Sequence, residues 1–312
     1  MAHGTHDFED DPRNQRVLVW VNGELVPRDR AVVSVFDAGF VLGDGVWEGL
    51  RVRAGHPAFL ERHLDRLWQG ARAIMLDVGR SRRELTEAIY ATLKANGMID
   101  GVHVRLMVTR GTKRTPYQDP RMTIGPATVV IIAEYKDPLP ATVRDGITLF
   151  TTHVRRAAPD TLDPKINAHS KLSDVSACIQ AYAAGADEAL MLDPQGFVAT
   201  CNSTHFFIVV GPDERPEVMT SDGRYSLAGV TRAIVLEICG ANGIPARETN
   251  FSLTDVYSAR EAFVTGTFAG VVPVRTVDGR TIGDGRRGPI VERLQELYRA
   301  LLDADVAARV AP

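Results

Sequence analysis

The spacing of apolar residues switches back and forth along the chain, and that alternation limits its folds more than any other feature. Residues 17–25, VLVWVNGEL, read as two short strands about an Asn-Gly turn, because that pair tolerates the positive φ of a tight hairpin. A second apolar run at 31–36 leads into DAGFVLGDGVWEGLRVRAG, where Gly39, Gly43 and Gly45 permit sharp turns before a strand at 46–52. The period then becomes helical: Leu60, Leu64, Leu67, Ala71 and Ile74 share one face. Ser81 and Glu84 form a capping box that opens another helix, with Leu85, Ile89 and Leu93 on one side and Gly97 as its stop. Strand-like runs return at 102–109 and 127–133, around the polar loop RGTKRTPYQDPRMTIGP, whose length suggests function. Further strands are expected at 147–154, 188–192, 206–210 and 261–265, and helices at 172–184, 230–241 and 290–302.

This mixture is α/β (α+β), and 312 residues suit two domains. The expected division is a flexible polar amino terminus (1–16), a small α/β domain (17–134), a Pro-rich linker (135–146) and a larger domain (147–312). A net charge of −3 implies no general attraction to nucleic acid or anionic membrane. No run reaches the roughly 18 apolar residues of a membrane span. Cys178, Cys201 and Cys239 are too far apart for a metal motif and read as reduced cytoplasmic thiols.

Four segments carry chemistry. The first is SVFDAGFVLGDGVWEGLRV, a glycine turn feeding a strand. FLERHLDRL sets Arg66 on a helix, where a guanidinium fork suits phosphate oxygens. In SLAGVTRAIV a glycine opens a helix, whose first N–H groups attract an anion. EAFVTGTFAGVVPVRTVDG is a strand ending in T-G-T, followed by P-V and a D-G turn. In this order they resemble the fold-type IV pyridoxal-phosphate enzymes, the class of branched-chain and D-amino-acid aminotransferases. The resemblance runs from about residue 17 to about residue 300.

It implies a two-domain fold with pyridoxal 5′-phosphate in the cleft and a homodimer in which each subunit completes the other's site. Arg66 would bind the phosphate, with the N–H groups of Val230 and Thr231, the Thr231 hydroxyl, Thr267 and Phe268 forming the rest of the cup. Arg105, in VHVRLMVTRG, falls where branched-chain members carry a pocket arginine. Lys113 and Arg114 fall near the place where D-amino-acid enzymes hold the substrate carboxylate. Trp47 and Phe40 suggest an apolar substrate lining.

The pattern breaks at the catalytic centre. Family members carry their Schiff-base lysine about eight residues after an Ala-Pro and about 21 before the glutamate of the next strand. Counted from Ala158-Pro159 and back from Glu188, both rules reach Asn167, which cannot form an imine. The same stretch, RRAAPDTLDPKINAHSKLSDVS, holds Lys165 and Lys171. Lys171 is preferred, because relatives place a cofactor-touching aromatic there; Lys165 is the rival. A second departure is Thr200, which stands where the family's glutamate keeps the pyridine nitrogen protonated. A hydroxyl holds no charge, so either transamination is slower or another group, such as His169 or His205, supplies electrostatic help.

The expected function is transfer of an amino group from an amino acid or primary amine to a 2-oxo acid, in ping-pong fashion through a lysine Schiff base. Two other readings stand beside it: a lyase of the aminodeoxychorismate type, and a homologue that binds the cofactor without catalysis.

Overall fold

The computed structural model describes residues 4–310. The chain divides into two compact units, each named here by its sheet. The six-stranded unit comprises Glu9–Asp137, Ile166–Lys171 and the residues from Asp303 on. The nine-stranded unit comprises the described residues up to Phe8, Pro138–Lys165 and Leu172–Leu302. The division therefore differs from the contiguous one expected. A six-residue excursion and the chain end return to the first unit, and pairing between residues distant in sequence leaves no local composition signal.

In the six-stranded unit the strands are β1 (Leu18–Val21), β2 (Glu24–Pro27), β3 (Gly45–Arg53), β4 (His56–Pro57), β5 (Val102–Thr109) and β6 (Thr128–Tyr135). They pair antiparallel in the order β2-β1-β6-β5-β3-β4. Strands show one side chain to each face in turn. Val46, Leu50 and Val52 of β3 and Val102, Val104, Leu106 and Val108 of β5 share the core face. On it pack α2 (Leu60–Ala73) and α3 (Arg82–Ala95), while α1 (Ala38–Leu42) is a short turn before β3. The helical period holds: Leu60, Leu64, Leu67 and Ala71 are all buried. The Ser81–Glu84 capping box is present in both directions. The apolar run 31–36 does not enter the sheet. Val32 is 75% exposed, and Val33, Val35 and Phe36 are exposed beside it.

In the nine-stranded unit the chain runs α4 (Pro140–Asp145), β7 (Ile147–Thr151), α5 (Pro159–Leu162), α6 (Leu172–Ala183), β8 (Glu188–Leu192), β9 (Val198–Cys201), β10 (His205–Val210) and β11 (Glu217–Thr220). It continues through α7 (Val230–Ala241), β12 (Ala246–Glu248), α8 (Leu253–Tyr257), β13 (Glu261–Gly266), β14 (Gly270–Val277), β15 (Arg280–Thr281) and α9 (Pro289–Val310). The strand order is β12-β11-β10-β13-β14-β7-β8-β9, with β15 on β14. The β13–β14 hairpin brings Phe263 opposite Pro273. Pro273 hid β14 from the sequence reading, since proline donates no ladder hydrogen bond; the β14–β7 register shifts just past it. The 135–146 segment is not a bare linker, because it contains α4. No helix among the described residues is long and apolar enough to cross a membrane.

Candidate active site

The excursion Ile166–Lys171 lies along the amino-terminal half of β3. Trp47 N–H donates to the Asn167 carbonyl at 3.0 Å, His169 N–H to Gly45 at 3.0 Å, and the Trp47 indole N–H to Ala168 at 3.1 Å. Val46 and Ala168 form an antiparallel bridge. This contact gives the glycine turn its physical reason. A Cβ on Gly45 would come within 2.5 Å of the Val108 carbonyl and 3.2 Å of the His169 ring. One on Gly43, whose φ is +67°, would come within 2.5 Å of Ser170 Oγ.

Asn167, at the position counted for the lysine, is 4% exposed. Its Nδ2 donates to the Trp47 carbonyl at 2.6 Å, so the side chain pins the strap to β3. Lys165 is exposed and belongs to the other unit. Lys171 is half-buried, with its ammonium 5.7 Å from the centre of the Trp47 ring. The Arg105 guanidinium stands 3.9 Å from the same ring. Burial pulls Arg105 below its usual pKa, with Glu134 acting in the opposite sense. His169 is also held low, chiefly by burial, with Arg105 and Lys171 adding to the effect. Its Nε2 lies 3.1 Å from the Val46 carbonyl, so a neutral ring carries its proton there.

The residue after Trp47 points to the opposite face. Glu48 has no exposure and takes three charge-assisted contacts. Arg66 donates from Nε at 2.8 Å and from Nη2 at 2.6 Å, and His63 Nδ1 lies at 2.7 Å. Burial alone would raise the Glu48 carboxyl, but the Arg66 charge and the hydrogen bonds from His63 and Arg66 hold it below its ordinary value. Sequence reasoning singled out Arg66 but neither of the two residues grouped with it, Glu48 and His63. The signal was present: His63 and Arg66 are three residues apart on a helix, so they share a face. The structure thus groups Trp47, Arg105, Asn167 and Lys171 on one side of β3, and Arg66 with Glu48 on the other. Phe40 is 71% exposed on α1, and Arg114 is exposed in the 110–126 loop. Lys113 is fully buried instead, with Nζ donating to the Asp119 carbonyl at 3.0 Å, and staples that loop.

The nine-stranded unit holds the remaining residues. Gly229 caps α7 without a side-chain hydrogen bond, leaving the first-turn N–H groups of buried Val230 and Thr231 without a capping side chain. The His205 ring rests on Gly229, where a Cβ would come within 2.2 Å of Nε2. Across the β10–β13 ladder His205 faces Thr265, whose buried hydroxyl has no hydrogen-bond partner among the described residues; the Ser226 hydroxyl, also buried, has none among them either. Thr267 is half-buried and Phe268 buried in the β13–β14 turn. Thr200 Oγ1 donates to the Thr204 carbonyl at 2.8 Å, so its only proton is committed and it offers a ligand a lone pair. His205, rather than His169, stands beside it, with Nδ1 3.5 Å from that hydroxyl.

A family profile described as amino-transferase class IV matches residues 45–277, a span from the first glycine turn to the last D-G turn. The chain belongs to the class IV aminotransferase family. It is 41% identical over 295 residues to branched-chain-amino-acid aminotransferase-like protein 2 of Arabidopsis thaliana, covering 94% of this chain and 51% of that protein. The chain therefore spans about half the length of that relative. It is 33% identical over 303 residues to the branched-chain-amino-acid aminotransferase of Pseudomonas aeruginosa, covering 93% of this chain and 94% of that one. Its fold superposes on the crystal structure of the T.th. branched-chain amino acid aminotransferase with pyridoxamine 5′-phosphate at a TM-score of 0.84. That match has 30% identity and covers 93% and 95% of the two chains.

Proposed function

We propose that this chain is a pyridoxal-phosphate-dependent aminotransferase in which Lys171 does the work that the family gives to a lysine at position 167. The observation that carries the reading is the half-buried Lys171 ammonium above Trp47, on a strap pinned to β3, against an exposed Lys165. The residues present fit the cofactor. For its phosphate, the nine-stranded unit offers the Val230 and Thr231 N–H groups, Thr267 and Phe268. The unpartnered Thr265 and Ser226 hydroxyls strengthen that fit. Arg66, which the family resemblance assigns to the phosphate, is held in a fixed orientation by Glu48 within the six-stranded unit.

Bound there, the cofactor supplies an aldehyde that captures the donor amine and a ring that accepts electrons from the donor Cα. Lys171 Nζ would take the proton from the donor Cα and deliver it to the carbon that carried the aldehyde. Thr200, whose proton is committed to Thr204, would offer the ring nitrogen a lone pair in place of a charge, a weaker aid to electron withdrawal that would slow turnover. Arg105, desolvated and with no carboxylate in ion-pair reach among the described residues, takes a carboxylate of the donor or of the 2-oxo acid. Trp47 forms the apolar wall beside it. Phe40 and Arg114 serve from exposed positions, next to a run of exposed apolar residues from Val32 to Leu42. Such a patch suits a second copy of the chain, and we infer a homodimer on that basis. Three unbridged cysteines support a cytoplasmic setting.

The inert-binder reading is favoured by Asn167, which cannot form an imine and whose Nδ2 donates to the Trp47 carbonyl. Exchange of amino groups between the cofactor and a panel of donors, each enantiomer separately, decides between the two. Lys171→Ala should lower the exchange rate by about 10²–10⁴-fold, while Lys165→Ala leaves it within about twofold. A wild-type protein that binds the cofactor and exchanges with no donor would establish the inert binder.

A further inference from the structure

Residues 4–8 of the nine-stranded unit play no part in the chemistry above. Thr5 is 2% exposed. Its N–H donates to Glu188 Oε1 at 3.3 Å, and its hydroxyl donates to the same oxygen. A hydroxyl has one proton. Committed to Glu188, it can only accept from His6, whose Nδ1 lies 3.0 Å away, so that nitrogen carries the ring proton. Glu188, buried at the start of β8, pairs with no cation among the described residues. Its other oxygen takes the Thr204 hydroxyl at 2.8 Å. The Thr204 carbonyl in turn accepts from Thr200 Oγ1 at 2.8 Å and from Cys201 N–H at 2.9 Å. The His6 ring stacks on Phe268, with centroids 5.8 Å apart and planes 18° from parallel.

A buried carboxylate is costly unless its lone pairs are filled. Here hydroxyl and amide donors fill them, and two of those donors belong to Thr5. Removing Thr5 strips one oxygen and loosens the turn that the other oxygen holds. A polar tail that merely covered the sheet would need no such carboxylate.

We propose that residues 4–8 form a positioning strap for the cofactor site. Thr5 fixes Glu188, Glu188 fixes the Thr200–Thr204 turn, and His6 fixes the Phe268 ring. The inference rests on the assignment of Thr200 and Phe268 to the cofactor under the proposed function. Neither Thr5 nor His6 touches the reacting atoms.

The test is titration of the full chain with pyridoxal 5′-phosphate, together with amide hydrogen exchange across residues 200–205 before the cofactor is added. Thr5→Val should speed exchange in that turn and weaken cofactor binding by about tenfold, equivalent to about 1.4 kcal/mol. Thr5→Ser, which keeps the hydroxyl, should restore both. His6→Ala should also weaken binding, and His6→Phe, which keeps the stack, should restore it. His6 is exposed, so its truncation leaves no cavity and carries the test if Thr5→Val does not fold. Unchanged affinity in both Thr5→Val and His6→Ala, with a wild type that binds, overturns the strap and leaves the cofactor reading standing. A wild type that does not bind pyridoxal 5′-phosphate overturns both.

Discussion

At position 48 a carboxylate with no exposure lies between an imidazole and a guanidinium. Taking one member from a buried ion pair strands the other's charge, at a cost of about 3–5 kcal/mol. Glu48→Gln should therefore lower unfolding stability by that amount in denaturant at neutral pH. The pH dependence has a definite sign. The native carboxyl titrates below its ordinary range, so its contribution is whole above that range and is lost as pH falls through the native value. The gap between wild type and Glu48→Gln should thus close in acid. The helical setting of Arg66 was legible in the sequence, because the apolar spacing around it is helical. Glu48 was not, because its role depends on β3 and α2 packing face to face. Thr200 was legible as a departure, but the loss of its proton to the Thr204 carbonyl depends on a turn that no spacing rule supplies.

The strap on β3 is the element that relates sequence to site. Counting residues pointed to Asn167, yet could not show that its Nδ2 would donate to the carbonyl of Trp47, a residue 120 places earlier. The same holds for the glycine turn. Its glycines looked like a chain reversal, whereas Gly45 also lacks a side chain so that Val108 and His169 can approach. Gly45→Ala should force the Val108 carbonyl or the strap to move, costing about 1–3 kcal/mol. It should also shift the fluorescence of Trp47, whose indole N–H is bound by the strap. Unchanged stability and emission would mean that the strap does not press on the turn. Periodic helices such as α2 and α3 were read to within a residue or two, because amphipathic spacing is a local property. β14 escaped because a strand that carries proline at its centre contradicts the local rule.

At the scale of the molecule, the six-stranded unit has a core on β3, β5 and α2, and the nine-stranded unit one on β7, β8, β10, β13 and β14. The exposed apolar side chains of Val32, Val33, Val35, Phe36, Phe40 and Leu42 form the surface proposed for the homodimer. Sedimentation should give about 68 kDa, twice the 34.1 kDa chain, and the triple change Val32→Ser, Val35→Ser, Phe40→Ser should return it to a single chain. All of this serves one claim, that an amine four residues past the family position reaches the cofactor. Borohydride reduction of the protein equilibrated with pyridoxal 5′-phosphate, followed by peptide mapping, reads that contact directly. A reduced pyridoxyl group on Lys171 is the result this account predicts; bound cofactor with the label on Lys165, on another residue or on none contradicts it.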